Sequence, residues 1–162
     1  MRAGRPRAPA RAAGFTYLTV LFALVVFGLG AAALGESWGA ASRRAREAEL
    51  IEAGGTFVKA IAAYRASSPG SAKSYPRHLD ELLEDHRFVG VVRHLRRVVR
   101  DPVTGNAEWG LVQAPDGGIL GVYSLSEQAP LRRQPLQLPG ALPISGTRYA
   151  DWKFVAEAQR TP

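Results

Sequence analysis

The sequence predicts an α+β protein in which one long N-terminal helix packs on a small antiparallel sheet. Three observations carry that prediction. Between Arg11 and Glu36 lie 24 uncharged, mostly apolar residues, and a helical spacing of small and apolar residues continues beyond them. Two strand-like runs flank Pro115-Asp116-Gly117-Gly118, a strong hairpin signal. The chain has 162 residues and no cysteine, enough for one modest domain held without disulfides.

At the N-terminus, Arg2, Arg5, Arg7 and Arg11 supply much of the formal net charge of +7; without them 17 basic residues face 14 acidic ones, or +3. The basic balance is therefore weak evidence for a nucleic-acid partner. A helix of 24 residues spans roughly 36 Å, enough for the ~30 Å hydrocarbon core of a bilayer. Arginines before the run and Glu36 after it place the N-terminus in the cytoplasm and the remaining chain across the membrane. A secretory signal would be cut near Ala33-Leu34-Gly35, releasing a soluble domain, although the apolar stretch exceeds the ~7–15 residues of a signal-peptide core. A signal anchor would stay uncut and tether the domain.

A third outcome rests on Gly14-Phe15-Thr16, with a short basic leader before it and an apolar helix directly after it. These features resemble the class III signals of type IV pilins and type II secretion pseudopilins. Downstream, Tyr75-Pro76 followed by Leu79, Leu82 and Leu83 is similar to a segment after the long helix in major-type pseudopilins. Asp101-Pro102-Val103-Thr104-Gly105-Asn106, then Trp109, resembles the segment that leads into their sheet. The matches cover the first third of the chain and patches to about residue 125. The resemblance implies a pilin-like fold and cleavage by a prepilin peptidase between Gly14 and Phe15, with methylation of Phe15. Glycine, lacking a Cβ, allows close approach to its backbone, and an aromatic suits the membrane interface. The implied organisation is a leader over 1–14, a transmembrane half of the long helix over 15–35, a periplasmic half over 36–67 and a small α+β domain over 68–162. The implied location is the inner membrane, single-pass, with the globular domain periplasmic.

Thr19 departs from the family, most of whose members carry glutamate five residues after the cleavage point. The resemblance implies that this glutamate pairs with a neighbouring subunit's N-terminal amine. A carboxylate at membrane depth is costly unless paired, whereas a threonine hydroxyl can bond back to the Phe15 carbonyl. The substitution fits a filament-tip subunit, a non-filament accessory or a merely tolerated membrane residue. Gly28 and Gly30, with Ala31, Ala32 and Ala33, are small enough for close helix–helix approach in an assembly.

Past Glu36, Ala41, Ala45, Ala48, Ile51, Val58, Ile61 and Ala62 predict the inward face of the continuing helix, with Arg43, Arg44, Glu47 and Lys59 elsewhere. Arg43 and Glu47 form an i,i+4 pair, and Gly54-Gly55 predicts a local bend. Unbroken, Phe15 to Ala66 would run ~78 Å, too long to be buried in its own domain. Ser67-Ser68-Pro69-Gly70-Ser71 ends it. His78–His86 predicts a short helix with Leu79, Leu82 and Leu83 inward and Asp80, Glu81, Glu84 and Asp85 solvated. Strands are expected at Glu108–Ala114 and Ile119–Leu125, burying Trp109, Leu111, Ile119 and Tyr123, and a third where Trp152, Phe154 and Ala156 alternate with polar neighbours. The Pro130–Pro143 loop is long enough to mark a functional surface or disorder.

Arg93, Arg96, Arg97 and Arg100 form the strongest charge cluster after the apolar run. They suit an acidic partner surface, DNA phosphates or simply a solvated face. No aromatic interleaves them and Asp101 follows at once, which counts against nucleic acid. Asp101, Asn106 and Glu108 offer oxygens for the calcium that major pseudopilins bind, but their spacing matches no recognisable calcium loop and suits a turn. His78, His86 and His94 are eight apart and suggest no metal pair. No nucleophile–base pairing, phosphate loop or zinc spacing argues for catalysis, so no cofactor or metal is expected. The partners implied are other pseudopilin subunits, the prepilin peptidase and the inner-membrane secretion platform. Two alternatives stay open: a membrane-tethered or pilus-tip module binding DNA or protein through residues 93–100, and a secreted domain cut near Gly35.

Overall fold

The computed structural model describes residues 13–157, with side chains at all of these except 13, 14 and 31–37. The architecture is α+β: one long helix, α1 (Ala13–Ala66), two single-turn 3-10 segments and a three-stranded antiparallel sheet. The leader through residue 12, the Gly35 cleavage point and the small residues Ala31–Ala33 lie outside the described structure or side chains. The chain divides into two compact units, residues 1–42 and 43–162.

In the first unit the described side chains of Phe15–Gly30 are exposed on every side of the helix. In the second, α1 turns one stripe inward: Leu50, Ala53, Phe57, Val58, Ile61 and Tyr64 are buried, at the three- and four-residue steps that share a helix face. The inward face differs from the expected one. Ala41, Ala45 and Ala48 are exposed, and Glu47 is buried at 7 % exposure. Alanine favours helix on any face and so marks none, while Glu47 can be buried because three donors meet its carboxylate. Arg43 does not pair with Glu47 but reaches the Ala129 carbonyl, at 3.5 Å. At Gly54-Gly55 the helix continues unbroken. The glycine is there for proximity: a Cβ on Gly54 would collide with the Phe154 ring.

Strands β1 (Gly110–Gln113) and β2 (Ile119–Tyr123) form the expected hairpin. Its turn is closed by Ala114 N–H to Gly118 O at 2.7 Å, with Gly117 at φ 83° and Asp116 Oδ1 accepting from Gly118 N–H. β3 (Phe154–Val155) pairs with β2, making β2 central. The sheet's inner face differs from expectation. Leu111 lies opposite Val122, Val122 opposite Phe154 and, past a bulge, Gln113 opposite Ile119, so Ile119, buried as expected, shares the face of Val122 while Tyr123 falls on the other. Val122 and Phe154 are fully buried, Leu111 on the edge strand is exposed, and Tyr123 is half-buried across Gly110. Trp109 enters the core ahead of β1, edge-on to Phe57 at 5.2 Å, with its indole N–H on Val99 O. The expected alternation at 152–156 is present: Trp152, Phe154 and Ala156 are buried and Lys153 is exposed.

The short helix expected at His78–His86 is one 3-10 turn, Leu79–Leu82. It stops because the Asp85 N–H turns away to Val92 O, at 2.9 Å, as the carboxylate is drawn inward. Asp85, expected in solvent, is 1 % exposed. The Pro130–Pro143 loop is packed. Leu136 and Ile144 exchange both backbone hydrogen bonds, Ala141 bridges to Ala156, and Leu136 and Leu138 lie against the core.

Candidate functional site

Each unit holds one of the two groups of sequence-predicted site residues. In the first, Phe15 is 74 % exposed, and Thr19 Oγ1 donates to Phe15 O at 2.8 Å, so the hydroxyl is satisfied within its own helix. An added Cβ on Gly28 or Gly30 would meet nothing within 4 Å, which leaves that surface open to close approach. The side chains about Gly14 lie outside those described. Among the described residues no helix is long and apolar enough to cross a membrane. The predicted segment 15–35 is described in full only as far as Gly30.

In the second unit, Arg93, Arg96, Arg97 and Arg100 are all exposed along an irregular stretch between the 3-10 turn and β1. No ion pair within 4 Å involves them among the described residues. Leu95 is the anchor of this stretch: it is buried, and the N–H groups of His94 and Leu95 both donate to Leu82 O. Arg97 and Arg100 line an open groove of about 640 Å³ whose opposite wall, on α1, carries Glu49 and Glu52, with Val98, Val99 and Ala53 between.

Asp101 closes the groove at one end as a turn residue. It is fully buried, its Oδ1 accepts from Val103 N–H at 2.8 Å and its Oδ2 from Ser124 Oγ at 2.6 Å. Gly105, at φ 77°, completes the turn through Gly105 N–H to Asp101 O. Asn106 and Glu108 are exposed, and Asn106 meets Asp101 only through its backbone carbonyl, which accepts from Asp101 N–H at 2.8 Å. Both Asp101 oxygens are therefore engaged by the chain's own donors. Among the described residues no group of three His, Cys, Asp or Glu side chains could hold a metal ion.

Two polar clusters escaped the sequence reading. The first caps the C-terminal end of α1. Arg87 stacks on the Tyr64 ring at 3.5 Å, donates to the Tyr64 carbonyl at 2.8 Å and to Ser68 Oγ at 2.8 Å, and grips Asp85 through Nε (2.8 Å) and Nη2 (2.6 Å). His94 Nε2 lies 3.0 Å from the second Asp85 oxygen. Hydrogen bonds from Arg87 hold the Asp85 carboxyl well below the usual carboxylate range, outweighing the opposing effect of burial. The same contact raises Arg87. Tyr64, which donates to Glu81 at 2.5 Å, is pushed up to about 12, first by burial and then by that carboxylate.

The second cluster fastens the proline loop to α1. Glu47 accepts from Tyr149 Oη (2.8 Å), Leu131 N–H (2.7 Å) and Arg132 N–H (3.2 Å). Tyr149 is pushed up to about 12 by burial and by Glu47. The signal for the first cluster was present in the Asp85-x-Arg87 spacing and in Tyr64 one turn from the helix end. Nothing local announces the second, because its partners are far apart in the chain.

No family model, no curated protein and no solved structure matches this chain. Its functional residues are therefore read from their own geometry. That geometry offers an exposed apolar helix and an exposed cationic stretch beside a groove, both suited to contact with other molecules.

Proposed function

We propose that the chain is a pseudopilin-like, pilin-fold structural subunit of a type II secretion or type IV pilus-like machine, cleaved after Gly14 and assembled into a periplasmic filament. The observation that carries this reading is the apolar helix beginning at the glycine–aromatic junction. The described side chains of Phe15 to Gly30 are exposed all round the helix. So much uncovered apolar surface needs lipid or the helices of other subunits. Before assembly this segment anchors the protein in the inner membrane, its N-terminus cytoplasmic. Afterwards it packs against other subunits, the small Gly28 and Gly30 permitting close approach. The self-bonded Thr19 hydroxyl brings no buried charge and needs no amine partner, which suits a minor or tip position.

The test is the N-terminus of the protein recovered from cells with and without the prepilin peptidase, read by intact mass and N-terminal peptide mapping. A methylated Phe15 that depends on the peptidase is expected. An intact Met1, or a start at Glu36, would overturn the proposal.

The exposed arginines, without ion-pair partners among the described residues, favour one second reading: a membrane-tethered binding module for an acidic protein or nucleic acid. It requires salt-sensitive binding that disappears when Arg93, Arg96, Arg97 and Arg100 become alanine. Binding indifferent to those changes would remove it.

A further inference from the structure

Five exposed arginines gather where the second unit begins. Arg43, Arg44 and Arg46 lie in the first turn of that unit's stretch of α1, and Arg132 and Arg133 in the proline loop. The Glu47 tie brings the two segments together. Its carboxylate accepts from the Leu131 and Arg132 N–H groups, and Arg43 Nη2 donates to Ala129 O at 3.5 Å. At ~100° per residue, Arg44 and Arg46 flank the Arg43–Glu47 line on either side. Leu131, 40 % exposed, stands among them. Because the tie fixes the loop backbone, the cost of gathering these groups is met before any partner arrives.

Little on the chain neutralises this rim. None of the five arginines makes an ion pair within 4 Å among the described residues. Glu47 is buried and occupied by its three donors. Neither 37–46 nor 128–135 contains an acidic residue. The next acids on either side are Glu49, three residues past Arg46, and Glu127, which is taken by Arg148.

A bilayer lies within reach of this rim. On the reading given above, the apolar run through Gly35 spans the membrane. Arg43 is eight residues further on. That is ~12 Å of helix and, in any arrangement of the two units, no more than about 29 Å of chain. Between them stands Trp38, 78 % exposed, an aromatic of the kind that settles at headgroup level. Clustered cations beside a membrane span attract anionic lipid.

We propose that Arg43, Arg44, Arg46, Arg132 and Arg133 form a headgroup site, their guanidinium groups on the phosphates of anionic lipids and Leu131 in the interface. Arginine suits the task because its planar fork can donate twice to one phosphate. The proline loop is then a foot that rests the second unit on the bilayer before assembly. That role deepens the membrane-anchoring part of the proposed function, on which it rests.

The cysteine-free chain allows a single reporter. Full-length Gln134→Cys, exposed beside Arg133, is labelled with an environment-sensitive fluorophore. It is reconstituted in phosphatidylcholine vesicles with or without phosphatidylglycerol, all carrying headgroup spin-labelled lipid as quencher. Quenching should be several-fold stronger with phosphatidylglycerol. No such difference is expected for Ala72→Cys, an exposed site beyond the opposite end of α1. Changing Arg44, Arg46, Arg132 and Arg133 to glutamine should abolish the difference, and changing them to lysine should keep it, since the attraction follows charge. Salt of about 1 M, where the Debye length is ~3 Å, should weaken it. A label left unquenched, or quenched equally in both vesicles, would overturn the site and leave the arginines to an acidic protein surface. Alkaline carbonate extraction of the same vesicles tests the span separately. A chain that resists extraction without lipid-dependent quenching sinks the headgroup site alone. One that is extracted while the quenching difference persists sinks the span alone.

Discussion

Both halves of α1 are rich in apolar residues, yet they use them in opposite ways. Over 15–30 large side chains point in every direction and all are exposed, Phe27 at 78 %. Over 47–64 the apolar residues keep to one stripe, and polar clusters at either end tie that stripe to the remaining chain. Tyr64 and Arg87 close one end; Glu47 and Tyr149 close the other. A helix apolar all round needs an apolar environment from outside its own chain, whereas a one-sided helix can complete a core with its own sheet. One continuous helix thus carries an exposed apolar surface and one side of a domain core.

The contrast breaks most visibly with matched truncations. Phe57→Ala removes a fully buried ring that packs edge-on against Trp109 and should cost the second unit about 3–5 kcal/mol. Leu21→Ala, in the exposed run, should leave that unit's unfolding within about 0.5 kcal/mol. Denaturant unfolding of the detergent-solubilised full chain, followed by tryptophan fluorescence, reads the difference, since Trp109 and Trp152 are buried in the core. Equal losses from the two substitutions would mean that the exposed run is part of the same folding unit.

The next largest effect belongs to the helix-end clamp. Asp85→Asn keeps the shape but removes the charge that Arg87 grips. Breaking a buried ion pair costs about 3–5 kcal/mol, and the lower end is expected because Arg87 keeps the Tyr64 carbonyl and Ser68. The Asp85 carboxyl is depressed in the folded state, so its stabilisation is complete above the ordinary value of 3.8 and is lost as pH falls below it. The gap between wild type and Asp85→Asn should therefore be constant near neutrality and narrow on acidification below about pH 4. A gap that does not change with pH would show that the carboxylate's charge is not what holds the clamp.

How much of this was legible in the sequence depended on how local each cause was. The hairpin could be read from Pro115-Asp116-Gly117-Gly118 because a turn is decided within a few residues. The alternation at 152–156 was equally plain. Polarity gave the wrong answer for Glu47, placed off the inward face, and for Asp85, placed in solvent: both are buried because donors converge on their carboxylates. The partners of Glu47 lie 84 to 102 positions away, beyond any periodicity argument. The alanines at 41, 45 and 48 misled for the complementary reason, since small side chains have the right spacing without the area that would drive burial. Of the candidate site, the exposure of the four arginines and the back-bonded Thr19 were readable; the groove was not, because one wall comes from α1 and the other from residues 97–102.

The smallest of these effects sharpens the comparison at the other tie. Tyr149→Phe removes one of three donors to Glu47 but leaves the ring packed edge-on against Trp152, so the loss near neutral pH should be about 1.5 kcal/mol. The informative range is alkaline. Folded Tyr149 is held near 12 against an ordinary value of 10.0, and Tyr64 behaves alike at the far end of the stripe. A raised phenol stabilises fully below its unfolded value, and that stabilisation is lost as pH rises through its folded one, because the unfolded chain releases the proton first. Wild type should therefore lose stability between about pH 10 and 12, and Tyr149→Phe should lose roughly half as much, the remainder belonging to Tyr64. Urea midpoints across that range measure both slopes. If the variant's slope equals the wild type's, the Tyr149 hydroxyl does not keep its bond to Glu47 in solution, and only the Leu131 and Arg132 N–H groups remain on that carboxylate.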